Sequence, residues 1–175
     1  MTCAVLVADP PWKHKDQLPG KGRGAEKHYK CMPTDEICKM WTPIESEKHA
    51  VLFLWRVASM VEDACRVARA WGFVPKAEIE WRKLTRNGNP FFGMGRYVRY
   101  SHEICMICTR GSAMPAVHDQ RSYFEAKVGR HSEKPDEFYS IVQRLYPEST
   151  WFEVFARKPR VQWKQFGLEF GQGAA

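Results

Sequence analysis

The chain has 175 residues, of which 44% are hydrophobic and 27% are charged, and its net charge is +7 at pH 7. This length fits one globular domain and leaves little for a second. The sequence shows no apolar run of roughly 18 residues, as a membrane span needs, and no export signal at its N-terminus. We therefore expect one domain over residues 1–170, a loose tail over residues 171–175, and a cytosolic location.

The positive charge is concentrated in two segments that are rich in glycine, proline and aromatic residues. Residues 13–30 contain six Lys or Arg against two acidic residues, and residues 82–101 contain five against none. A solvated helix face would mix Lys with Glu, whereas basic loops with aromatic residues are typical of nucleic-acid contact. The distribution favours a nucleic-acid partner over a merely basic surface.

The first predicted elements are two strands with a helix between them. Residues 3–8 and 50–55 are short apolar runs rich in β-formers, typical of strands covered on both faces of a sheet. Thr34 is placed to cap a short helix whose inner face carries Ile37, Met40 and Trp41.

A second helix and a third strand follow. Ser59 and Glu62 form a capping box for a helix that extends through Trp71 and ends at Gly72. Residues 73–84 then have the composition of a strand.

The remaining elements continue the alternation. Residues 102–109 and 122–128 are predicted strands, and residues 151–156 form the last clear one. Before that last strand, Pro135 opens a helix with Phe138, Ile141, Val142 and Leu145 turned inward. Strands alternating with helices predict an α/β sandwich with a mainly parallel central sheet.

The cysteines do not indicate a disulfide framework. Six are scattered along a chain without an export signal, so free thiols are expected. Cys105 and Cys108 form a C-x-x-C, but they lie in the run ICMIC, which is typical of a buried strand. A metal site there is the alternative, and no metal ligand is assigned.

One short motif stands where a ligand site is expected. Asp9, Pro10, Pro11 and Trp12 follow the first strand, and α/β sheets bind ligands beyond the carboxyl ends of their strands. The prolines lack N–H groups, so the motif presents the Asp9 carboxylate and carbonyl oxygens as acceptors. Asp9 and the Pro10 carbonyl could hold the two hydrogens of a nucleobase amine, and Trp12 could stack on the base. The alternative is a rigid turn with Trp12 in the core.

This motif and eight further segments carry a resemblance over about residues 4–169. The chain is similar to the S-adenosylmethionine-dependent adenine-N6 methyltransferases related to the catalytic subunit of the eukaryotic mRNA methyltransferase. The matching segments are DPPW, GAEKHYKCM, AVLFLW, AWGF, EIEWRK, GMGRYVRYSHE, TRG with HSEKPDEFY, and FAR. The resemblance implies a Rossmann-like methyltransferase fold without a G-x-G-x-x-G loop. Gly93 and Gly95 are therefore interpreted as hinge glycines of a basic loop and not as part of a phosphate-binding loop.

The resemblance also implies site residues. Those near the cofactor S-adenosylmethionine are Asp9, His102, Arg157, Gly167, Leu168 and Glu169. Those near the target base or nucleic acid are Trp12, Tyr29, Glu78, Lys83, Arg96 and Arg99. A histidine at a strand end and an exposed acidic strand face are the alternatives for His102 and Glu78. Leu168 departs from the asparagine that relatives carry, which removes polar contacts to the cofactor.

The function expected from this resemblance is methyl transfer to N6 of an adenine in DNA. The amine is hydrogen-bonded inside a duplex, so the base must be flipped out or supplied unpaired. Neither a covalent intermediate nor a metal is needed. DNA is preferred because the compact chain resembles the short prokaryotic and phage members; RNA as substrate and a catalytically silent nucleic-acid-binding partner are the alternatives.

Overall fold

The computed structural model describes residues 3–13, 31–45, 47–95, 97–129 and 133–167. Within these residues the chain forms seven strands and three helices that alternate along most of its length. They are β1 (Ala4–Ala8), α1 (Thr34–Lys39), β2 (Ala50–Arg56), α2 (Val61–Ala70), β3 (Val74–Leu84), β4 (His102–Arg110), β5 (Tyr123–Lys127), α3 (Asp136–Leu145), β6 (Thr150–Val154) and β7 (Trp163–Phe166).

The described strands form one sheet in the order β5-β3-β4-β2-β1-β6-β7. β4 is antiparallel to both of its neighbours, β2 and β3, and the other pairings are parallel. The expected α/β architecture with a mainly parallel sheet is therefore confirmed. The carboxyl ends of β1, β2 and β3 and the amino end of β4 meet at one edge of the sheet.

Two hydrophobic clusters cover the two faces of the sheet. On β1, Leu6 and Ala8 belong to the cluster under α1 and α2, whereas Val5 and Val7 belong to the cluster under α3. Residues 5–8 are fully buried, because successive side chains of a central strand point to opposite, covered faces. β1 is thus a rigid support for the residues that follow it.

The same alternation separates the two cysteines of the C-x-x-C. Cys105 packs in the cluster under α3, and Cys108 packs in the cluster under α2. Burial raises the pKa of the Cys108 thiol to about 12. Because the two sulfur atoms lie on opposite faces of β4, they cannot bind one metal ion together.

The helix boundaries follow the expected pattern, but two of the expected caps are wrong. Pro33 and Met60 occupy the N-cap positions of α1 and α2, and neither helix has a side-chain cap. The Thr34 hydroxyl instead donates to Asp63 at 2.9 Å, which ties α1 to α2. Gly72 ends α2 with a positive φ of 79°, as expected for a C-terminal glycine.

The remaining differences lie at the ends of the sheet. β7 was not expected, since its sequence WKQF buries a single side chain, Trp163. Trp41 was expected on the inner face of α1 but is exposed beyond the helix end. None of the helices in the described part of the chain has the length and apolar character that crossing a membrane requires. The tail over residues 171–175 lies outside the described residues, and the division into one domain stays a prediction.

Candidate active site

The turn after β1 is fixed by backbone hydrogen bonds. The Trp12 amide donates to the Pro10 carbonyl at 2.8 Å, and the Met32 amide donates to the Pro11 carbonyl at 2.7 Å. Fewer carbonyl oxygens are therefore free to accept hydrogen bonds than the sequence indicated, because the Pro11 carbonyl already accepts from Met32, just before α1. A carbonyl oxygen has two lone pairs, so Pro10 can still accept one more hydrogen bond beside the Asp9 carboxylate.

A cavity of about 260 Å³ opens at this edge of the sheet. The turn after β1, the end of β2 and the facing ends of β3 and β4 form its walls, and one lysine closes it from the segment before α3. The lining residues are Asp9, Pro10, Trp12, Trp55, Arg56, Val57, Ala58, Lys83, Tyr100, His102, Glu103, Ile104 and Lys134. The cavity thus lies where α/β sheets bind ligands.

Four charged side chains alternate in sign along one wall of the cavity. Lys134 Nζ donates to Asp9 Oδ2 at 2.7 Å and lies 3.2 Å from Glu103 Oε2. Glu103 Oε1 in turn accepts from Lys83 Nζ at 2.5 Å. The Lys134 side chain is only 7% exposed and that of Asp9 18%. We call Asp9, Lys134, Glu103 and Lys83 the charge chain.

The charge chain keeps Glu103 and Lys134 ionised despite their burial. Burial alone would raise the pKa of Glu103, but the neighbouring Lys134 and Lys83 lower that pKa to about 2. Burial alone would lower the pKa of Lys134, and the carboxylates of Asp9 and Glu103 raise it instead. The site therefore offers a fixed cation, Lys134, beside a fixed anion, Glu103, at neutral pH.

The first prediction concerns the pH dependence of stability. The pKa of folded Glu103, about 2, lies below its ordinary value of 4.5, so ionised Glu103 stabilises the fold above pH 4.5. This stabilisation, at most about 3 kcal/mol, is lost as the pH falls from 4.5 towards 2. In urea unfolding, the stability difference between the wild type and Glu103→Gln should therefore shrink over that range.

The matched control for this prediction is Glu78→Gln. Glu78 lies outside the cavity and its side chain is 49% exposed, although that of its partner Arg56 is only 8% exposed. Solvent screens Glu78, so its pair with Arg56 should contribute less to stability than the more buried Glu103 does. A Glu103→Gln difference that stays as flat with pH as the Glu78→Gln difference would contradict the role given to the charge chain.

Trp12 belongs to the core as well as to the cavity wall. Trp12 is only 4% exposed, and its indole packs in the cluster under α1 and α2. The indole Nε1 donates to the Trp55 carbonyl at 3.0 Å. This is the rigid arrangement that the sequence left as the alternative. A base in the cavity could touch the part of the indole that lines it, and stacking stays a prediction.

The burial of Trp12 has a measurable consequence. Trp12→Ala should lower the free energy of unfolding by about 3–5 kcal/mol, because it leaves a large cavity in the core. Trp12→Phe keeps most of the packing and should cost less, since it removes the hydrogen bond to Trp55 and a smaller volume. Urea unfolding distinguishes the two, and equal stability of Trp12→Ala and the wild type would contradict the core role.

A second cavity of only about 10 Å³, enough for about one water molecule, adjoins Asp9 on the side of β6. Asp9, Lys134, Arg157 and Phe155 are among its lining residues. Phe155 has a positive φ of 64°, which turns the chain sharply where β6 ends. Arg157 Nε lies 3.9 Å from Asp9 Oδ2. The segment that the sequence matched to the cofactor therefore does reach the charge chain.

Gly167 is required for close backbone packing. A Cβ atom at this position would lie 2.3 Å from the Ala156 carbonyl oxygen, and the Ala156 amide donates to Phe166 at 3.1 Å. Gly167→Ala should therefore shift the end of β7 and destabilise the ligand-free protein by about 1–3 kcal/mol. Gly129→Ala is the control, because within the described residues its Cβ would meet only the Glu133 side chain, at 3.2 Å. Equal urea midpoints for Gly167→Ala and Gly129→Ala would show that the backbone near Gly167 accommodates a Cβ atom without loss of stability.

The other residues predicted for the site fall into three groups. Lys83 and His102 line the main cavity. Glu78 and Arg99 do not: Glu78 pairs with Arg56 at 2.9 Å, and Arg99 lies on the exposed loop between β3 and β4. Outside the described residues are Tyr29, Arg96, Leu168 and Glu169, and their roles stay predictions.

Sequence reasoning missed Lys134 and Glu103. Lys134 lies in the segment HSEK, where a charged run resembles a solvated loop, and Glu103 directly follows a residue that had been assigned to the cofactor. The available signal was the alternation of β4, which places Glu103 on the same face as the buried Cys105. The geometry favours Glu103 over Glu78 for contact with a bound base.

Comparisons with known proteins place this site in a family. The model of the MT-A70 family matches residues 3–169. The N(6)-adenosine-methyltransferase catalytic subunit METTL3 of Homo sapiens is 28% identical over 168 residues, which cover 91% of this chain and 26% of that protein. The N(6)-adenosine-methyltransferase MT-A70-like protein of Arabidopsis thaliana is 27% identical, with 89% and 22% covered.

A shorter relative is similar over most of its own length. The type II methyltransferase M.MunI of Mycoplasma sp. is 23% identical over an alignment 184 residues long. The alignment covers 94% of this chain and 76% of that protein. The chain spans about a quarter of the length of METTL3 and of the plant relative. Because the family model covers nearly the whole chain, including every described residue of the charge chain, the protein belongs to the MT-A70 family of adenine-N6 methyltransferases.

Proposed function

We propose that this protein transfers a methyl group from S-adenosylmethionine to the N6 amine of an adenine in DNA. The observation that carries the proposal is the position of Asp9. Its carboxylate follows a fully buried strand, lies between the two cavities, and is held by Lys134 at 2.7 Å. A rigidly held acceptor with a base-sized cavity on one side and Arg157 at 3.9 Å on the other suits a reaction that joins a base to a cofactor. The second cavity, of about 10 Å³, must widen when the cofactor binds.

The residues present fit the charged end of S-adenosylmethionine. A methionine group carries one ammonium and one carboxylate, and Asp9 and Lys134 offer the opposite charges from adjacent, largely buried positions. Arg157, which lines the smaller cavity, extends the positive side of this site. When bound, the cofactor supplies an electrophilic methyl group. Asp9 and Lys134 would hold its amino acid end, and the turn at Phe155 and Gly167 would border the remainder.

The main cavity fits a single base. Its volume of about 260 Å³ is just below the range of about 300–1,000 Å³ typical of whole ligand sites, so it suits part of a larger substrate. Asp9 and the Pro10 carbonyl would accept the hydrogens of the adenine amine. Accepting both hydrogens pulls the nitrogen towards tetrahedral geometry and frees its lone pair for attack on the methyl group.

Glu103 and Tyr100 complete the surroundings of the base. Glu103 is an acceptor held ionised by Lys134 and Lys83, and Tyr100 contributes an aromatic ring at the mouth of the cavity. The amine loses a proton after alkylation, when the nitrogen has become acidic. Asp9 can accept that proton without being a strong base, so the site needs no tuned general base.

DNA is proposed over RNA on the similarity to M.MunI, a type II methyltransferase of which the chain covers 76%. RNA adenosine is the second candidate, because the human and plant relatives are named adenosine methyltransferases. In both cases the partner is a polyanion, which agrees with the net charge of +7.

The test is a transfer assay with S-adenosylmethionine labelled on its methyl group. Plasmid DNA, the same DNA after heat denaturation, and an RNA transcript of it are offered in parallel, and products are identified as N6-methyladenine nucleosides. Label on adenine of either DNA form, exceeding that on RNA, is the expected result. Label on RNA alone would show that RNA, and not DNA, is the substrate. The absence of label on all three nucleic acids would overturn the proposal.

A further inference from the structure

The loop between β3 and β4 exposes an unusual amount of apolar surface. Phe92 is 78% exposed, Met94 87%, Tyr97 93% and Val98 62%. Scattered exposed apolar residues need no explanation, but a contiguous group marks an interaction site. We call residues 90–95 and 97–100 the finger.

The finger is built on a hydrogen-bonded stem. The Lys83 amide donates to Ser101 at 2.8 Å, the Phe91 amide donates to Lys83 at 2.9 Å, and the Gly93 amide donates to Tyr100 at 3.0 Å. A Cβ on Gly93 would lie 2.3 Å from the Tyr100 carbonyl oxygen, which only glycine permits. The finger is therefore held against the end of β3 at Phe91 and closed between Gly93 and Tyr100.

The stem of the finger is part of the cavity wall. Tyr100 and Lys83 both line the cavity, and β3 ends and β4 begins at the sheet edge that carries Asp9. The exposed side chains of the finger consequently project from the mouth of the cavity. When one part of a larger molecule enters the cavity, the adjoining parts of that molecule stay outside and lie beside the finger.

The charge around the finger indicates which kind of molecule this is. Residues 82–101 contain no acidic residue, and the Arg99 guanidinium lies 5.6 Å from the centre of the Phe92 ring. Apolar side chains among cations suit a partner that has flat apolar faces inside a polyanion, as stacked bases between phosphates have. A protein partner would have to carry acidic groups around an apolar patch to match the same surface.

We propose that the finger is a wedge for duplex DNA, which inserts Met94 or Tyr97 into the base stack at the position that the target adenine leaves. The proposal rests on the proposed function, since it requires an adenine to move into the cavity. Apolar side chains that enter between base steps are a known means of holding a duplex open. Here the wedge and the acceptor cavity are two ends of the same ribbon.

The test compares duplex and denatured forms of one plasmid DNA as methyl acceptors. The variant Met94→Ser/Tyr97→Ser changes two highly exposed residues, so it should fold, and it removes only the apolar tip. We expect the ratio of duplex to denatured-strand activity to fall by roughly tenfold or more, because only the duplex needs the gap to be filled. The control is Met114→Ser, an exposed methionine beyond the opposite edge of the sheet, which should leave the ratio unchanged.

Each other result overturns the wedge. An unchanged ratio, or an equal loss on both DNA forms, would show that the tip does not act on the duplex. Loss of a dimer in sedimentation of the double variant would show that the finger joins two copies of the chain. A wild type active on denatured DNA alone would remove the need for a wedge, whereas a wild type inactive on every nucleic acid would show that the proposed function itself has failed.

Discussion

Asp9→Asn is expected to lower the rate of methyl transfer by at least about a hundredfold, the loss typical of removing one positioned electrostatic group from an active site. Asparagine has nearly the same volume, so the core around β1 is not disturbed. It offers one acceptor oxygen where aspartate offers two, and its NH₂ group faces either Lys134 or the incoming amine. One of the two interactions must therefore be lost.

The assay must separate this loss from a loss of folding. Far-ultraviolet circular dichroism of Asp9→Asn should match that of the wild type, whereas its urea midpoint should fall, because Lys134 loses the carboxylate at 2.7 Å and keeps only Glu103 at 3.2 Å. Transfer is therefore measured without denaturant, where both proteins are folded. Single-turnover transfer with saturating cofactor then reports the chemical step alone.

The matched control for Asp9→Asn is Glu78→Gln. It makes the same chemical change at an acidic residue that pairs with Arg56, outside the cavity lining. Transfer by Glu78→Gln should stay within a few-fold of the wild type. Near-wild-type turnover of Asp9→Asn, or equal losses in the two variants, would contradict the role of Asp9 as the acceptor of the amine.

The central strands could be predicted because their amino-acid composition indicates that they are buried. β1 and β2 are apolar at nearly every position, which only a strand covered on both faces requires, and the structure buries both. β7 could not be predicted in the same way. It is an edge strand of four residues, and its pairing depends on the turn at Phe155 and on the approach of Gly167 to Ala156, which are tertiary features.

The caps of α1 and α2 failed for a related reason. Thr34 has the right chemistry for an N-cap, but its hydroxyl finds a partner on α2, Asp63. Local propensity was overridden by a contact with a residue 29 positions away. The ends of α2 and α3 were nevertheless placed within about one residue, since Gly72 and Pro135 restrict the backbone directly. α1 instead ends at Lys39, two residues before Trp41.

The candidate site divides along the same line. The turn from Asp9 to Trp12 was recognisable from its residues alone. Lys134 and Glu103 were not, because their importance comes from burial that arises only when the segment before α3 crosses the end of β1. An isolated lysine between glutamate and proline gives no sign that it will be 7% exposed.

Lys134→Met is expected to have the largest effect on stability of any substitution of a charged residue in the site. Methionine replaces the long side chain at similar volume but removes the charge. Asp9 and Glu103 then face each other without the cation that lies 2.7 Å from one and 3.2 Å from the other. Breaking a buried ion pair in this way costs about 3–5 kcal/mol, which urea unfolding measures directly.

Lys158→Met is the control for this loss of charge. Lys158 also contacts two carboxylates, those of Glu133 and Asp136, at 3.2 and 2.9 Å, but its side chain is 38% exposed. Surface pairs of this kind contribute about 1 kcal/mol or less. If Lys134→Met were no less stable than Lys158→Met, the charge chain would not be the buried network that the structure describes.

A double-mutant cycle with Glu103→Gln identifies the cause of the instability. In the wild type, Glu103→Gln should cost stability, because it removes an anion that Lys134 and Lys83 stabilise. In the Lys134→Met background the same change removes one of two carboxylates left without their shared cation, so it should cost less or even stabilise the protein. We expect a coupling of at least about 1 kcal/mol between the two positions. Simple addition of the two losses would mean that Lys134 stabilises the fold through its packing on Trp55 and that its charge serves the ligand alone.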